Sequence, residues 1–555
     1  MQKKFTILIS FIILFITNSL QSMVCLALPF KSSQIIMSAE NQTAINAAQS
    51  IAEKGGNAVD VAVSLALALS VTNPTFASLG GGGFAMVKMG KMIEVLDFRE
   101  RAPSAAGPKY FLGKSAEDSV NGGTAIAIPG TPHGLWTLHK KYGKLHWSQL
   151  FDAPILLAQK GVRVSGEYSE DLTKNALRFT PSTRQLFLKS GTTAYLPGEI
   201  FVQKNLARLL SEMRNRNITS FYSGMGAKDI VDSVQKAGGE ITLKDLEDYK
   251  SIWREPIIAE YAGYKLYLMP PPSSGGIIIK TALELIEKLN LNKYPERGVD
   301  ELHLLGQILN RSFRARNLIS DSDYNEVPTD NLFSKKYLEE LAQSIQIKEA
   351  TQMPGIEVQT TPKESNDTTH ISVMDKFGNA VAMTLTLNGK FGSGVATEKY
   401  GVMLNNEMDD FTTRPGEANM FGLVQGQTNT VAPGKRPVSS MSPTLVEKDK
   451  KIVMALGAPG GPRIISSLIQ VLYRTLGRGN NLEVAVEAPR VHQQYLPNKL
   501  FLDENRFTPE TIDALKGRKN IIETSWQGRV FAVRLINDIL EGVADTRSEG
   551  AVGGF

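Results

Sequence analysis

Apolar residues in this chain fall into spacings that predict alternating kinds of element. Over 44–52 and 58–69, Ala, Val, Leu and Ile recur as on a helix face, and Gly55-Gly56 breaks the run between them. Four consecutive glycines, Gly80-Gly81-Gly82-Gly83, lead into a strand-like 84–87. The middle third alternates amphipathic helices with short loops, clearest at 206–213, 227–237 and 299–316. Pro270-Pro271-Pro272-Ser273-Ser274-Gly275-Gly276 interrupts them, and the apolar run from Ile277 begins another helix. No repeat with a period of roughly 20–50 residues, the mark of a solenoid or propeller, is visible.

Between 348 and 367 the pattern turns polar, with Pro354, Pro362 and few apolar residues, which predicts an exposed, flexible loop where cleavage is tolerated. Directly after it, 370–374 has strand character, Asp375-Lys376-Phe377-Gly378-Asn379 is turn chemistry, and 380–387 is a second strand. A loop therefore runs straight into a hairpin whose first strand opens with Thr368-Thr369.

Composition narrows the class. At 555 residues, with 42% hydrophobic and 21% charged, the chain can bury a sizeable core as one large domain or several ordinary ones. A net charge of +5 without a basic stripe argues against a nucleic-acid partner. Lys3 and Lys4 precede an apolar stretch at 5–16, and Cys25 and Ala27 are small residues suited to a cleavage site, so 1–27 reads as a secretory signal peptide. About twelve apolar residues fall short of the ~20 that span a bilayer. The expectation is a secreted or periplasmic protein with no stable membrane span. Cys25 is the only cysteine and lies in the leader, so the mature chain has no disulfide and no thiolate metal site. A lipid anchor at Cys25 is the alternative, with Ser22-Met23-Val24 a poor match for it. His133, His139, His146, His303, His370 and His492 are scattered, and none pair as a zinc motif.

The junction at Thr368 can carry chemistry without those groups. A threonine that begins a chain brings its own base, because its α-amine has an ordinary pKa of roughly 7.7–8.0 and can take the hydroxyl proton. An internal threonine gains that amine only if the bond before it breaks. Attack of its hydroxyl on the preceding carbonyl, through an ester that water hydrolyses, is a route. Read alone, Thr368 is an ordinary strand residue.

Its surroundings change that. Asn366-Asp367-Thr368-Thr369-His370, Gly378-Asn379-Ala380-Val381-Ala382 and Thr384-Leu385-Thr386-Leu387-Asn388 resemble the start of the small subunit of gamma-glutamyltranspeptidases. The likeness extends, in family order, through the segment after Gly55, the glycine run, Asp97-Phe98-Arg99-Glu100, Met269 with the Pro/Ser/Gly segment that follows, and Leu404-Asn405-Asn406-Glu407-Met408-Asp409-Asp410-Phe411. Lys435-Arg436-Pro437-Val438-Ser439-Ser440-Met441-Ser442-Pro443-Thr444 and Gly457-Ala458-Pro459-Gly460-Gly461 complete it, from about residue 39 to the C-terminus.

That resemblance implies an α+β fold, the four-layer αββα sandwich of N-terminal-nucleophile hydrolases. It implies a large subunit 28–367 and a small subunit 368–555, intertwined as one domain after cleavage between Asp367 and Thr368. The activity implied is transfer of a γ-glutamyl group from glutathione or similar γ-glutamyl compounds to water or an amino group, with no cofactor and no metal. Thr368 is then the nucleophile, with Thr386 close to its amine. Arg99 clamps the substrate carboxylate as a planar fork, aided by Ser439 and Ser440. Glu407 and Asp410 hold the substrate ammonium, with Asn388 a further polar contact. Gly460 and Gly461 form the oxyanion hole, where backbone N–H groups must approach without a Cβ in the way.

Read bare, the same residues are a surface charge cluster at Arg99, a Ser/Pro loop at 439–443, a turn at Asp409-Asp410 and tight packing at the glycine run. Three positions depart from the family pattern: Glu407 where relatives often carry glutamine, Pro462 where a small hydroxyl residue is common, and Phe421 where a tyrosine often gates the pocket. Phe421 lies in 417–436, which resembles a lid over the glutamyl pocket, and predicts a lid more loosely latched to Asn388. Two other readings remain: a glutaryl-cephalosporin-type acylase of the same fold, and an unprocessed, non-catalytic secreted binding protein.

Overall fold

The computed structural model describes residues 29–351 and 367–555. The leader 1–27 with Cys25, and most of the polar loop before Thr368, lie outside the described residues. Two seven-stranded sheets, antiparallel throughout, form the centre. The first runs in the order Ala551–Gly554, Ile35–Ala39, Thr369–Asp375, Ala380–Thr386, Gly82–Met89, Met92–Phe98 and Ile252–Arg254. The second runs Phe30–Ser32, Ile539–Ala544, Phe531–Ile536, Lys451–Gly457, Thr444–Lys448, Tyr264–Leu268 and Ile257–Tyr261.

The alternation of side chains along each strand explains why there are four layers. In the hairpin, Ile371, Val373, Val381, Met383 and Leu385 join the core beneath the outer helices Gln42–Glu53 and Ala58–Thr72. The intervening Met374, Ala380 and Ala382 join a second core with Leu445, Ala455 and Leu456 of the facing sheet. Helices Gly275–Lys288, Val299–Phe313 and Arg463–Leu472 belong to that second core. The helix Ala58–Thr72 is buried on all sides, as its near-continuous Ala/Val/Leu content requires, and Asn57 caps it in a reciprocal box with Asp60. This is the expected αββα sandwich.

Predicted elements lie where expected, with ends moved by a turn or less. The hairpin strands are Thr369–Asp375 and Ala380–Thr386, and the helix expected over 299–316 is α-helical to Phe313, then tightens into the 3-10 turn Arg314–Leu318. The glycine run is the start of the strand Gly82–Met89, with Gly82 opposite Thr386 and Gly83 opposite Leu385. A Cβ on Gly81 would lie 1.9 Å from the Thr386 carbonyl oxygen, and one on Gly83 2.1 Å from that of Thr384. Only glycine lets the two backbones meet here, so the run is packing beside the hairpin.

Candidate active site

The even-numbered side chains of the hairpin face the second sheet, and those at its open end are polar. His370 is held between Thr384 at 2.8 Å and Ser372 at 3.0 Å, and burial pulls its ring down to about 3, so it is neutral at physiological pH. One step further out, Thr368 Oγ1 lies 2.9 Å from Thr386 Oγ1, which also accepts the Asn388 backbone N–H at 2.9 Å. Thr368 has a φ of +88°. For a β-branched residue that conformation costs on the order of 1–3 kcal/mol.

The strand Lys451–Gly457 of the second sheet delivers Gly460 and Gly461 to this point, with φ of +125° and +53°. Gly460 N–H donates to the Asp367 carbonyl oxygen at 3.2 Å. The helix Arg463–Leu472 begins immediately afterwards, with Pro462 at its cap, where a missing N–H leaves the helical ladder intact. Its N-terminal end adds a positive partial charge near that carbonyl. The carbonyl preceding Thr368 is thus already polarised, beside a hydroxyl on the next residue.

A small pocket opens over Thr368 and Thr386, and Arg99, Glu407, Asp410 and Gly461 are among its lining. Arg99, at the end of the strand Met92–Phe98, is 1% exposed. It pairs with Glu407 through Nη1 and with Asp410 through Nη2 at 2.6 Å, and Nη1 also lies 3.5 Å from Glu100. Its Nε donates to the Pro437 carbonyl at 3.3 Å. Burial alone would lower the guanidinium's pKa, and Glu407 and Asp410 more than reverse this. The acids respond oppositely. Burial pushes Glu100 up to about 7 against the pull of Arg99, and it pushes Glu407 well above the carboxylate range, with Glu100 and Asp410 adding to the effect. Glu100 and Glu407 meet at the same guanidinium nitrogen, Arg99 Nη1, so the titrations of the two acids are linked.

The opposite wall carries Ser439, Ser440 and Met441. This loop is pinned to the Pro/Ser/Gly segment by Ser274 N–H to the Ser439 carbonyl and Ser439 N–H to the Pro272 carbonyl, both at 2.9 Å. Asn388 borders the cavity, and its Nδ2 donates to the Asn406 carbonyl at 3.1 Å and lies 3.9 Å from Met420 Sδ. Phe421 and Leu423 close the cavity from above. Their loop is tied down from its own base: Asn419 donates to Asp410 Oδ1 at 3.2 Å, and Met420 N–H to Asp409 at 3.0 Å. The lid therefore has a latch that does not involve residue 421.

All the residues singled out from sequence converge here. Arg99 arrives already ion-paired to Glu407 and Asp410, whereas the sequence reading gave the cation and the two acids separate ligand groups. Two participants were missed. Glu100 stood in a quoted segment without a role. Arg316 lies behind Ser440, and its signal was present: it follows Leu302, Leu305, Leu309 and Phe313 on the apolar stripe of its helix, where a cation is unexpected.

Comparison with known proteins agrees with this geometry. The profile of the family described as gamma-glutamyltranspeptidase matches residues 44–555. The glutathione hydrolase proenzyme of Escherichia coli (strain K12) is 37% identical over 535 residues, covering 94% of this chain and 91% of the relative. That of Bacillus subtilis (strain 168) is 34% identical, covering 91% and 89%. The crystal structure of Helicobacter pylori gamma-glutamyltranspeptidase superposes with a TM-score of 0.55 at 35% identity, over 56% of this chain and 91% of that one. A cephalosporin acylase from Bacillus halodurans superposes with a TM-score of 0.84 over 95% of this chain and 97% of that one; at 24% identity it shows the shared fold alone. Among the described residues, no helix is long and apolar enough to cross a membrane. A sandwich of this topology, a threonine pair at the mouth of its central hairpin and a family match over nearly the whole chain have one explanation: the protein is an enzyme of the gamma-glutamyltranspeptidase family.

Proposed function

We propose that the protein cleaves itself between Asp367 and Thr368 and then hydrolyses or transfers γ-glutamyl groups, from glutathione and similar amides, through an ester on Thr368. The observation that carries this reading is the Asp367 carbonyl held by Gly460 N–H next to the Thr368 hydroxyl. In the first step Thr368 Oγ1 attacks that carbonyl carbon, and the negative charge that develops on the oxygen is met by Gly460 N–H. Collapse expels the Thr368 nitrogen, which takes up the proton. Water then hydrolyses the ester, leaving a carboxylate on Asp367 and a free amine on Thr368. The φ torsion of Thr368 includes the Asp367 carbonyl carbon, so breaking the bond abolishes the strained torsion and favours cleavage.

In turnover the same hydroxyl attacks the γ-carbonyl of the donor, and the new α-amine removes its proton. Thr386, 2.9 Å from the nucleophile, orients the hydroxyl. Gly460 is now free of Asp367, and with Gly461 it serves the second oxyanion. Glu407, Asp410 and Glu100 give the ammonium of the glutamyl group an anionic wall, and Ser439 and Ser440 offer hydroxyls to its carboxylate. The amine product leaves, and water or an amino acid attacks the ester. On this reading the leader at 1–27 directs export, the fragments 28–367 and 368–555 stay together as a heterodimer, and no cofactor takes part.

The test is mass spectrometry of the purified protein together with release of aniline from a γ-glutamyl anilide. Two fragments, one ending at Asp367 and one beginning at Thr368, with turnover, are expected. A single intact chain would leave the non-catalytic binding protein as the better reading.

A further inference from the structure

Gly422 stands at the tip of the lid between Phe421 and Leu423, which both line the pocket. It is buried, with a φ of +72°. Its carbonyl oxygen is met from a distant part of the chain: Gln494 Nε2 donates to it at 3.0 Å and to the Leu496 carbonyl at 2.8 Å. Gln494 is 2% exposed and lies outside the pocket lining, in the loop after the short strand Val491–His492. The ties of Asn419 and Met420 to Asp410 and Asp409 hold the base of the lid to the turn Glu407–Asp410 before it. Gln494 is a separate support, at the tip.

The other contacts of Gln494 fix its amide and reach further. Both amide protons go to carbonyl oxygens, so Oε1 is left as an acceptor, and it lies 3.2 Å from His492 Nε2. Turning the amide over would set Oε1 against the Gly422 and Leu496 oxygens. His492 is 1% exposed, and burial pulls its ring down to about 3, so it is neutral. A neutral ring facing an acceptor at Nε2 carries its proton there, and Nδ1 then accepts the Ser466 hydroxyl at 2.8 Å. Ser466 lies in the first turn of the helix Arg463–Leu472, which starts directly after Gly460-Gly461-Pro462. A row of neutral hydrogen-bonding groups therefore joins the lid tip to the helix behind Gly460 and Gly461.

We propose that Gln494 is the positioning residue of the lid: it holds the Gly422 carbonyl so that Phe421 and Leu423 stay closed over a bound donor, and through His492 and Ser466 it aligns the lid with the helix behind Gly460 and Gly461. The bond favours the closed state alone, because in an opened lid water replaces Gln494 as the donor to Gly422. Losing that N–H shifts the lid toward open and weakens retention of the donor without touching the reacting atoms. This assignment rests on the γ-glutamyl reading above and adds to it a residue that reaches no substrate atom.

The experiment compares wild type with Gln494→Met, Gln494→Glu and Ser466→Ala by steady-state kinetics on a γ-glutamyl anilide and by hydrogen exchange of the lid amides 419–424. Gln494→Met keeps the length and loses the polar groups, whereas Gln494→Glu keeps an acceptor for His492 and loses the N–H for Gly422. Loss of one neutral hydrogen bond corresponds to about 2–13-fold. Both Gln494 variants should raise KM by about that factor with kcat changed much less, and their lid amides should exchange faster by a similar factor. Ser466→Ala removes only the far end of the row and should move both readouts the same way by less. Unchanged KM and exchange in a Gln494 variant, or a fall in kcat at unchanged KM, would overturn the assignment. Should both Gln494 variants fail to fold, Ser466→Ala decides, and lid exchange at the wild-type rate in it would overturn the assignment too. Wild type inactive on the anilide would instead count against the γ-glutamyl reading itself, and the exchange comparison would still judge the lid.

Discussion

Gly460 N–H and the Asp367 carbonyl oxygen are 3.2 Å apart, so the bond proposed to break is polarised by the residue also proposed to serve the donor's oxyanion. Gly460 holds a φ of +125°, which L residues rarely adopt, and a Cβ there would press on Gly528 and the Trp526 ring at 3.1 Å. Gly460→Ala should displace the N–H and slow self-cleavage on the order of 10²-fold, the usual effect of losing one oxyanion donor. A time course of fragment appearance on a denaturing gel measures it. Cleavage at the wild-type rate would take Gly460 out of the processing step.

One hydroxyl is asked to do both reactions. Thr368→Ala should therefore give an intact, inactive chain, and Thr368→Ser a slowly cleaved one, since serine keeps the nucleophile but loses the methyl group that fixes its rotamer. Fragment masses report the outcome. Two fragments from the alanine variant would mean that the nucleophile has been misassigned.

The raised carboxyls of Glu100 and Glu407 make donor binding depend on pH. Burial raises both carboxyls, Glu407 well above the ordinary carboxylate range and Glu100 to about 7, so the wall gains negative charge as Glu100 releases its proton above that pH. An ammonium ligand needs the anions, so KM for a γ-glutamyl donor should fall as pH rises from about 6 to 8. Glu407→Gln removes one of the coupled acids and should flatten that profile. Stability runs the other way: with a raised folded pKa the native state binds more protons than the unfolded chain, so this pair's contribution declines as pH rises from the ordinary glutamate range to about 7. Steady-state kinetics and thermal melts across pH 5–8 check both signs. An identical KM profile in wild type and Glu407→Gln would detach the pair from the donor.

How much of this was legible beforehand depended on distance along the chain. The hairpin was readable because its turn chemistry and alternating strands are local, and the outer helices because an Ala/Val/Leu face has a period. The site residues were found through ordered motifs, since nothing in the spacing of Arg99, Glu407 and Ser440 brings them together; loop and strand contacts hundreds of residues apart do that. The ion pairing of Arg99 is a tertiary fact of the same kind. Arg316 was missed although it sat on a readable stripe, because a cation at the end of an amphipathic helix resembles a solvated cap until the helix end proves to be buried behind Ser440. The latch of the lid was equally hidden, since Asn419 has no distinguishing neighbour in sequence and gains its role only from its contact with Asp410.

The choice between γ-glutamyl and glutaryl donors turns on one ammonium group, because the two compounds otherwise share the acyl chain. Asp410 is 5% exposed and Glu407 fully buried, with one oxygen of Glu407 lacking a hydrogen-bond partner among the described residues. A glutaryl donor would fill the pocket beside these acids and offer them no ammonium in return. A site built for a polar group rejects an analogue lacking it by roughly 10⁴-fold or more. Wild type should therefore hydrolyse a γ-glutamyl anilide and barely touch the matched glutaryl anilide. Asp410→Asn should lose most glutamyl activity and narrow the gap, since it takes a charge from the wall while keeping its shape, and it loosens Arg99 and Asn419 at the same time. The quantity to compare is kcat/KM for both anilides on both proteins. Equal values in the wild type would favour the glutaryl acylase, and an undiminished preference in Asp410→Asn would place the ammonium somewhere other than beside Asp410.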